Sequence, residues 1–180
     1  MTRTRYFVAS TLDGFIATDD HSLDWLVTRD LGPDKGGDLS YDAFIADIGA
    51  IAMGAATYEW LLRHHGDEPW FYSQPCWVFT HRDLPLRDGA DLRLTRAPVP
   101  EVHAEMTAAA GEKDIWVVGG GDLAGQFHDA GLLDEVLISV APLTIGSGQP
   151  LLPRHVELRI VDSRVAGEFV TTRYEVVRPK

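Results

Sequence analysis

The chain has few of the features that would tie it to a membrane, an oxidising compartment or a nucleic acid. Its 180 residues include one cysteine, Cys76, so an internal disulfide is excluded and a cytoplasmic location is expected. No apolar run reaches the ~18 residues that a membrane helix needs, and we therefore expect no membrane partner. Lys and Arg number 16 against 27 Asp and Glu, and the net charge of -11 argues against a nucleic-acid partner because phosphates would be repelled.

The composition that remains is that of an ordinary folded protein. Hydrophobic residues make up 45% of the chain and charged residues 24%, which excludes wholesale disorder. A chain of this length suits a single domain, which we predict to span residues 1–180.

Turn residues divide the chain into alternating strands and helices, followed by two strands in succession. Strands are predicted at residues 5–10, 50–53, 76–80, 91–94, 115–118, 135–141, 156–165 and 168–177. Helices are predicted from Tyr41, with Ser40 as its cap, and at residues 55–65, 102–110 and 122–129. This order predicts an α/β fold with a mainly parallel central sheet flanked by helices and a C-terminal antiparallel hairpin around Gly167.

The most informative motif is WVVGGGDLAGQF at residues 116–127, where three glycines join a buried strand to a helix. A glycine backbone can approach a ligand closely, and the free N–H groups of the helix favour a phosphate. Asp122 is predicted to be the N-cap of this helix, although its carboxylate would compete with a bound anion. A tight turn without a ligand would have the same sequence, so both interpretations stay open.

Two other predicted strands end in residues that suit a phosphate. Gly54 and Thr57 follow one strand, offering main-chain N–H groups and a hydroxyl. The triplet from Thr80 to Arg82 follows another, and arginine binds phosphate through paired hydrogen bonds. Because ligands lie at the carboxyl ends of parallel strands, the three strand ends together predict a nucleotide site.

Five segments resemble the dihydrofolate reductase fold, specifically the relatives grouped with the C-terminal reductase domain of the bifunctional riboflavin-biosynthesis deaminase/reductase. They are VASTLDGFIA (8–17), MGAATYEW (53–60), VVGGGDLAGQF (117–127), residues 130–152 and RYEV (173–176). The resemblance covers nearly the whole chain and implies an NADPH-dependent reductase in which the cofactor carries the hydride. The implied substrate is a pyrimidine- or pteridine-like heterocycle, as in 5-amino-6-(5-phosphoribosylamino)uracil reductase.

The resemblance also implies which residues hold NADPH. Ala9 and Ile16 would border the nicotinamide, Gly54, Ala56 and Thr57 the pyrophosphate, Thr80, His81 and Arg82 the adenosine ribose and its phosphate, and Val118, Gly119, Gly120, Gly121, Asp122 and Leu123 the opposite side. The peptide between the first two glycines of the triplet is expected to be cis. Ala55 stands where folate reductases often carry an arginine for the 2′-phosphate, so that contact is expected to fall to Arg82 and His81.

The substrate is expected to bind between residues 11–39 and the helix that begins at Tyr41. Residues 11–39 are predicted to form a mostly irregular binding loop or lid around Leu23, Trp25 and Leu26. Candidates for the proton-donating carboxylate are Asp30 and Asp38, as alternatives, with Asp42 also considered; Asp13, Trp25 and Asp42 are predicted to lie on the substrate side. Asp13 is also predicted to order the loop around Gly14. Residues 13–47 hold nine aspartates against Arg29 and Lys35, which favours a neutral or cationic heterocycle over a phosphorylated one.

Two alternatives to the riboflavin-type reductase stay open. One is a folate-type reductase, and the other is a nucleotide-binding relative without reductase activity. We expect a homodimer and no metal. Core packing or a dimer face would explain the aromatic residues Trp60, Trp70, Phe71, Tyr72 and Trp77.

Overall fold

A computed structural model describes residues 1–33 and 35–178, which form ten strands and five α-helices. The strands are β1 (Thr4–Thr11), β2 (Phe15–Ala17), β3 (Ile48–Gly54), β4 (Cys76–Phe79), β5 (Leu92–Thr95), β6 (Asp114–Gly119), β7 (Glu135–Ala141), β8 (Gln149–Pro150), β9 (Leu158–Ala166) and β10 (Phe169–Val176). The helices are α1 (Asp24–Val27), α2 (Tyr41–Ala46), α3 (Ala55–His64), α4 (Val99–Ala110) and α5 (Gly121–Asp129), with a 3-10 turn at Gly37–Leu39.

Eight of the strands form one sheet in the order β5-β4-β3-β6-β1-β7-β10-β9. The first six are parallel to one another, whereas β10 is antiparallel to both β7 and β9. The hairpin between β9 and β10 turns at Gly167, whose φ of 55 lies in the left-handed region that glycine tolerates. The predicted α/β fold, mainly parallel with a C-terminal hairpin, is confirmed.

Side chains on the two faces of the sheet enter two separate hydrophobic cores. On β3, Ala50 and Ala52 pack in the core beneath α4 and α5, while Ile51 and Met53 pack in the core beneath α2 and α3. A strand buried on both faces has no polar alternation, which is why this strand is an unbroken apolar run in the sequence.

Most of the aromatic residues singled out in the sequence belong to one of the two cores, either the one beneath α2 and α3 or the one beneath α4 and α5. Trp77 is fully buried, and Trp60, Trp70 and Tyr72 pack against buried residues of α3 and the sheet. Phe71, at 47% exposure, is the exception. Core packing therefore accounts for most of this group.

Three local expectations need correction or completion. Residues 11–39 are mostly irregular, as predicted, and the structure adds the short elements β2, α1 and the 3-10 turn within them. Helix α4 begins at Val99 rather than at residue 102, since proline is well tolerated in a first helical turn and Pro100 lies there. The cap of α2 is confirmed: the Ser40 hydroxyl accepts a hydrogen bond from the Ala43 N–H at 3.1 Å. Within the described residues, no helix combines the length and apolarity needed to cross a membrane.

Candidate active site

A cleft of about 280 Å³ opens at the carboxyl ends of β1 and β6, between the first turns of α3 and α5. The remaining wall is formed by the short strands β2 and β8, which pair with each other, and by residues in and before α1. The lining residues are Val8, Ala9, Ile16, Ala17, His21, Leu23, Leu26, Ala56, Thr57, Trp60, Val118, Gly119, Gly120, Gly121, Asp122, Gln149 and Pro150. Most of these side chains are apolar or small, so main-chain groups supply much of the polar surface.

The ends of β3 and β6 meet at the floor of this cleft. A Cβ atom on Gly54 would lie 3.6 Å from the Gly119 carbonyl oxygen, and one on Gly119 would lie 3.6 Å from the Thr57 hydroxyl oxygen. The peptide between Gly119 and Gly120 is cis, as the resemblance implied. The structure therefore brings together the two glycine-containing strand ends that the sequence pointed to.

The second and third glycines of the triplet serve different purposes. A Cβ atom on Gly120 would point into open space, with the nearest heavy atom, Ile16 Cδ1, 4.0 Å away. A Cβ atom on Gly121 would collide with the carbonyl oxygens of Pro150 and Leu151. Gly121 is thus needed for close packing of α5 against β8, whereas Gly120 leaves room in the cleft that the protein itself does not fill.

Both helices that begin at the cleft start on glycine. The N-cap of α3 is Gly54 and that of α5 is Gly120, and neither helix has a side-chain cap among the described residues. The first N–H groups of a helix have no acceptor within it, and the helix dipole adds positive potential there. Two uncapped N-termini at one cleft form a cradle suited to a diphosphate.

The prediction that Asp122 caps α5 is wrong, because Asp122 lies inside the first turn. Its carboxylate accepts hydrogen bonds from Gln126 Nε2 at 2.9 Å and Arg154 Nη2 at 3.0 Å. These bonds, that of Gln126 first, hold the pKa of the Asp122 carboxyl below its usual value. The Asp122 carboxylate therefore forms an ion pair with Arg154 and does not cap the N–H groups of the helix.

The predicted cofactor residues divide into those that line the cleft and those that do not. In the first set are Ala9, Ile16, Ala56, Thr57, Val118, Gly119, Gly120, Gly121 and Asp122. Gly54 is not in the lining, although it adjoins Gly119, and Leu123 is buried in the core beneath α5. Thr80, His81 and Arg82 follow β4 outside this lining, where Arg82 forms a paired hydrogen bond with Glu59 at 2.9 and 2.8 Å.

Asp13 ties the loop after β1 to the segment before β8. Its carboxylate accepts hydrogen bonds from the Thr11 hydroxyl at 2.6 Å and from the Gly146 N–H at 2.8 Å. The Thr11 bond is the largest cause of a lowered pKa at Asp13. These contacts agree with the expectation that Asp13 orders the loop.

The other predicted substrate residues do not contribute to the cleft lining. Asp30 is exposed beside the C-terminal hairpin, where its N–H donates to Glu168 at 2.8 Å. Asp38 and Asp42 are exposed in the 3-10 turn and in α2. Trp25 is half-buried in α1, with an indole N–H that has no acceptor among the described residues.

Several lining residues were not predicted from the sequence. Trp60 forms part of the wall and stacks on His64 with ring centroids 4.2 Å apart. The pairing of β2 with β8 places Gln149 and Pro150 of β8 in the cleft lining, together with His21, which follows β2. Because these two strands lie far apart in the chain, no local pattern could have placed them together.

Solved structures with a similar fold define the class of this protein. A Shewanella sp. PV-4 protein assigned to riboflavin biosynthesis matches with a TM-score of 0.81 and 24% identity, covering 98% of this chain and 100% of that one. Acinetobacter baumannii RibD matches with a TM-score of 0.73 and 15% identity, covering 98% of this chain and 58% of that one. The fold is therefore that of the RibD and dihydrofolate reductase class.

The chain belongs to the RibD C-terminal domain family, which matches residues 61–171. Bacillus subtilis YwjB, an uncharacterized protein, is 29% identical over 175 residues, which cover 96% of this chain and 97% of YwjB.

Proposed function

We propose that the protein is a cytoplasmic, NADPH-dependent reductase of a pyrimidine- or pteridine-like heterocycle. The observation that carries this proposal is the convergence of two helix N-termini on one largely apolar cleft. These N-termini, of α3 and α5, have glycine at the N-cap position and, among the described residues, no side-chain cap. Membership of the RibD C-terminal domain family supports a role related to riboflavin-type reductases.

The residues present fit a dinucleotide of this kind. Thr57 and Gly120 line the cleft and Gly54 adjoins it at Gly119, so that N–H groups and the Thr57 hydroxyl are offered to the diphosphate in the space that a Cβ on Gly120 would occupy. Ala9 and Ile16 offer a flat apolar wall to the nicotinamide and keep water away from it. When bound, the reduced nicotinamide supplies the hydride, and the protein orients it against the substrate.

We propose that the substrate binds beside the nicotinamide, next to residues 11–39. The nine aspartates against Arg29 and Lys35 in residues 13–47 favour a neutral or cationic heterocycle over a phosphorylated one. Asp30 and Asp38 remain the two alternatives for holding the transferred proton. An Asn variant at each position would identify the donor through a loss of turnover with unchanged coenzyme affinity.

We also propose a homodimer formed through the C-terminal hairpin. Val165 on β9 is 74% exposed and pairs with Val170 on β10, which is 45% exposed. Val170 in turn pairs with Val140 on β7. The edge strand β9 also carries Asp162 and Arg164, so antiparallel pairing with a second copy can bring opposite charges together. Sedimentation analysis should find a dimer that Val165→Asp dissociates and that Val27→Asp, a control on α1 with 63% exposure, does not. A wild-type monomer at high concentration would contradict the proposal.

Calorimetry and turnover test the function together. The wild type should bind NADPH and oxidise it with a pyrimidine or pteridine substrate. Thr57→Val removes the hydroxyl at the floor of the cleft and should weaken NADPH binding about fivefold, the size of one lost hydrogen bond. The same substitution at Thr107, whose hydroxyl bonds the His103 carbonyl in α4, should leave binding unchanged. Absence of any heat with NADPH would end the proposal.

A second candidate function is nucleotide binding without reductase activity. It is favoured by one observation: among the described residues, Asp122 is the only carboxylate in the cleft lining, and it is already paired with Arg154. Tight NADPH binding with no turnover of uracil-type, pteridine or dihydrofolate substrates would support this candidate. Turnover of dihydrofolate alone would instead indicate a folate-type reductase.

A further inference from the structure

The cleft has almost no positive charge with which to recognise the 2′-phosphate that distinguishes NADPH from NADH. Among its lining residues, only His21 and Asp122 are titratable, and no lysine or arginine is present. A phosphate at that position must therefore find its cation beyond the lining. In the sheet, β4 is next to β3, so the residues that follow β4 lie beside the first turns of α3.

Arg82, three residues after the end of β4, is the cation at this place, and it is already engaged. Its Nη1 and Nη2 atoms donate to the two Glu59 carboxylate oxygens at 2.9 and 2.8 Å. Glu59 lies on α3, and its hydrogen bonds raise the pKa of Arg82. The Arg82 N–H also donates to the Thr80 hydroxyl at 3.0 Å, which fixes the backbone beneath the guanidinium.

The pair has consequences for a phosphate that approaches it. A guanidinium paired through both oxygens of a carboxylate carries no net charge with its partner, although it keeps further N–H donors. A phosphate monoester would be attracted by Arg82 and repelled by Glu59 over similar distances. A neighbouring pair, Arg96 with Asp83 at 3.0 Å, is likewise neutral.

We infer that Glu59 is a specificity-determining residue of the coenzyme site: by pairing with Arg82 it limits the preference for a 2′-phosphorylated dinucleotide, so that NADH is accepted nearly as well as NADPH. This inference rests on the proposed function. Arg82 recognises the phosphate, and Glu59 sets how much of its charge is available. The chemical group discriminated is the single phosphate monoester on the adenosine ribose.

The dissociation constants of NADPH and NADH, measured by calorimetry, test this inference in three variants. For the wild type, the two constants should agree within about tenfold. Glu59→Gln should tighten NADPH about fivefold and leave NADH unchanged, since one solvent-exposed charge contact is removed. Arg82→Gln should weaken NADPH by a similar factor. The double variant, which restores a neutral pair, should return the ratio to the wild-type value.

A matched control separates this contact from the effect of net charge. Asp91 forms an equivalent exposed pair with Arg93 at 3.0 Å, but at the amino end of β5 and hence at the opposite edge of the sheet. Asp91→Asn makes the same charge change as Glu59→Gln and should leave the NADPH to NADH ratio unaltered. The gain in Glu59→Gln should also shrink at high ionic strength, because an exposed contact is screened.

The outcomes distinguish the inference from the function on which it rests. If the wild type binds both dinucleotides but Glu59→Gln leaves their ratio unchanged, or Asp91→Asn changes it equally, the role of Glu59 is overturned and the reductase proposal stands. If the wild type and all variants bind neither dinucleotide, both are overturned. A wild-type preference for NADPH far above tenfold would also contradict the limiting role of Glu59.

Discussion

The amino ends and the carboxyl ends of the parallel strands, called here the amino edge and the carboxyl edge of the sheet, differ in how completely their polar groups are matched within the chain. At the amino edge, Arg3 Nη1 lies 2.7 Å from Glu135, and Arg5 Nε lies 2.8 Å from the same carboxylate in an ion pair that is not aligned for a hydrogen bond. Asp114 adds a third contact by accepting from the Arg3 N–H at 2.9 Å. At the carboxyl edge, the helix N-termini at Gly54 and Gly120 have no side-chain cap among the described residues.

We interpret the amino edge as structural and the carboxyl edge as the proposed binding edge. Charges that satisfy one another leave nothing to offer a ligand, whereas unmatched main-chain N–H groups require an acceptor from outside. The amino edge also borders a groove of about 630 Å³, larger than the cleft, and several of its arginines are already paired with carboxylates. The larger groove therefore lies at the edge whose charges are mostly paired, and the proposed binding site lies at the smaller cleft.

The largest expected effect comes from breaking the amino edge. Glu135→Ala leaves Arg5, which is 6% exposed, without its principal partner. We expect the free energy of unfolding to fall by about 3 kcal/mol, because the buried guanidinium of Arg5 then keeps only its longer ion pair with Asp114, at 3.5 Å. Urea unfolding measures this loss, while NADPH affinity should be unchanged at the distant edge. Glu112→Ala, at an exposed turn, is the control, and a loss no larger than in that control would contradict the comparison.

A smaller effect is expected from two adjacent alanine substitutions at the carboxyl edge. Gly121→Ala should cost about 2 kcal/mol of stability, because its methyl group collides with the Pro150 and Leu151 carbonyls. Gly120→Ala should unfold like the wild type and lose about tenfold in NADPH affinity, because its methyl group occupies the cradle. Thermal unfolding and calorimetry separate the two; equal destabilisation by both would mean that Gly120 also serves packing.

The smallest effect concerns pH. His103 Nε2 lies 2.9 Å from the Thr4 hydroxyl, and burial lowers the pKa of His103 below its ordinary 6.5. The unfolded chain therefore binds a proton more readily than the folded one, so stability is complete above pH 6.5 and falls as the pH drops through the lowered value. Urea unfolding across this range should show the decline in the wild type and a flatter profile in His103→Gln. An unchanged profile would mean that other groups cause it.

The sequence was sufficient to predict elements whose signals are local. The apolar run of β3, the glycine triplet before α5 and the hairpin at Gly167 each depend on a few neighbouring residues, and the structure has all three. The convergence of Gly54 with Gly119 followed from the rule that parallel strands share an edge.

What could not be predicted depends on partners far away in the chain. The pairing of β2 with β8 joins residues more than a hundred positions apart, and it places Gln149 and Pro150 in the cleft wall. Asp122 was assigned to the helix cap because nothing local reveals Arg154, which draws its carboxylate away. In the same way, the sequence suggests a free Arg82, and only the fold reveals Glu59 beside it.

The walls of the cleft come from two separate stretches of chain, residues 8–60 and residues 118–150. The shape of the cleft therefore depends on how two distant stretches of the chain pack against each other, and a substitution in either stretch is expected to change ligand affinity.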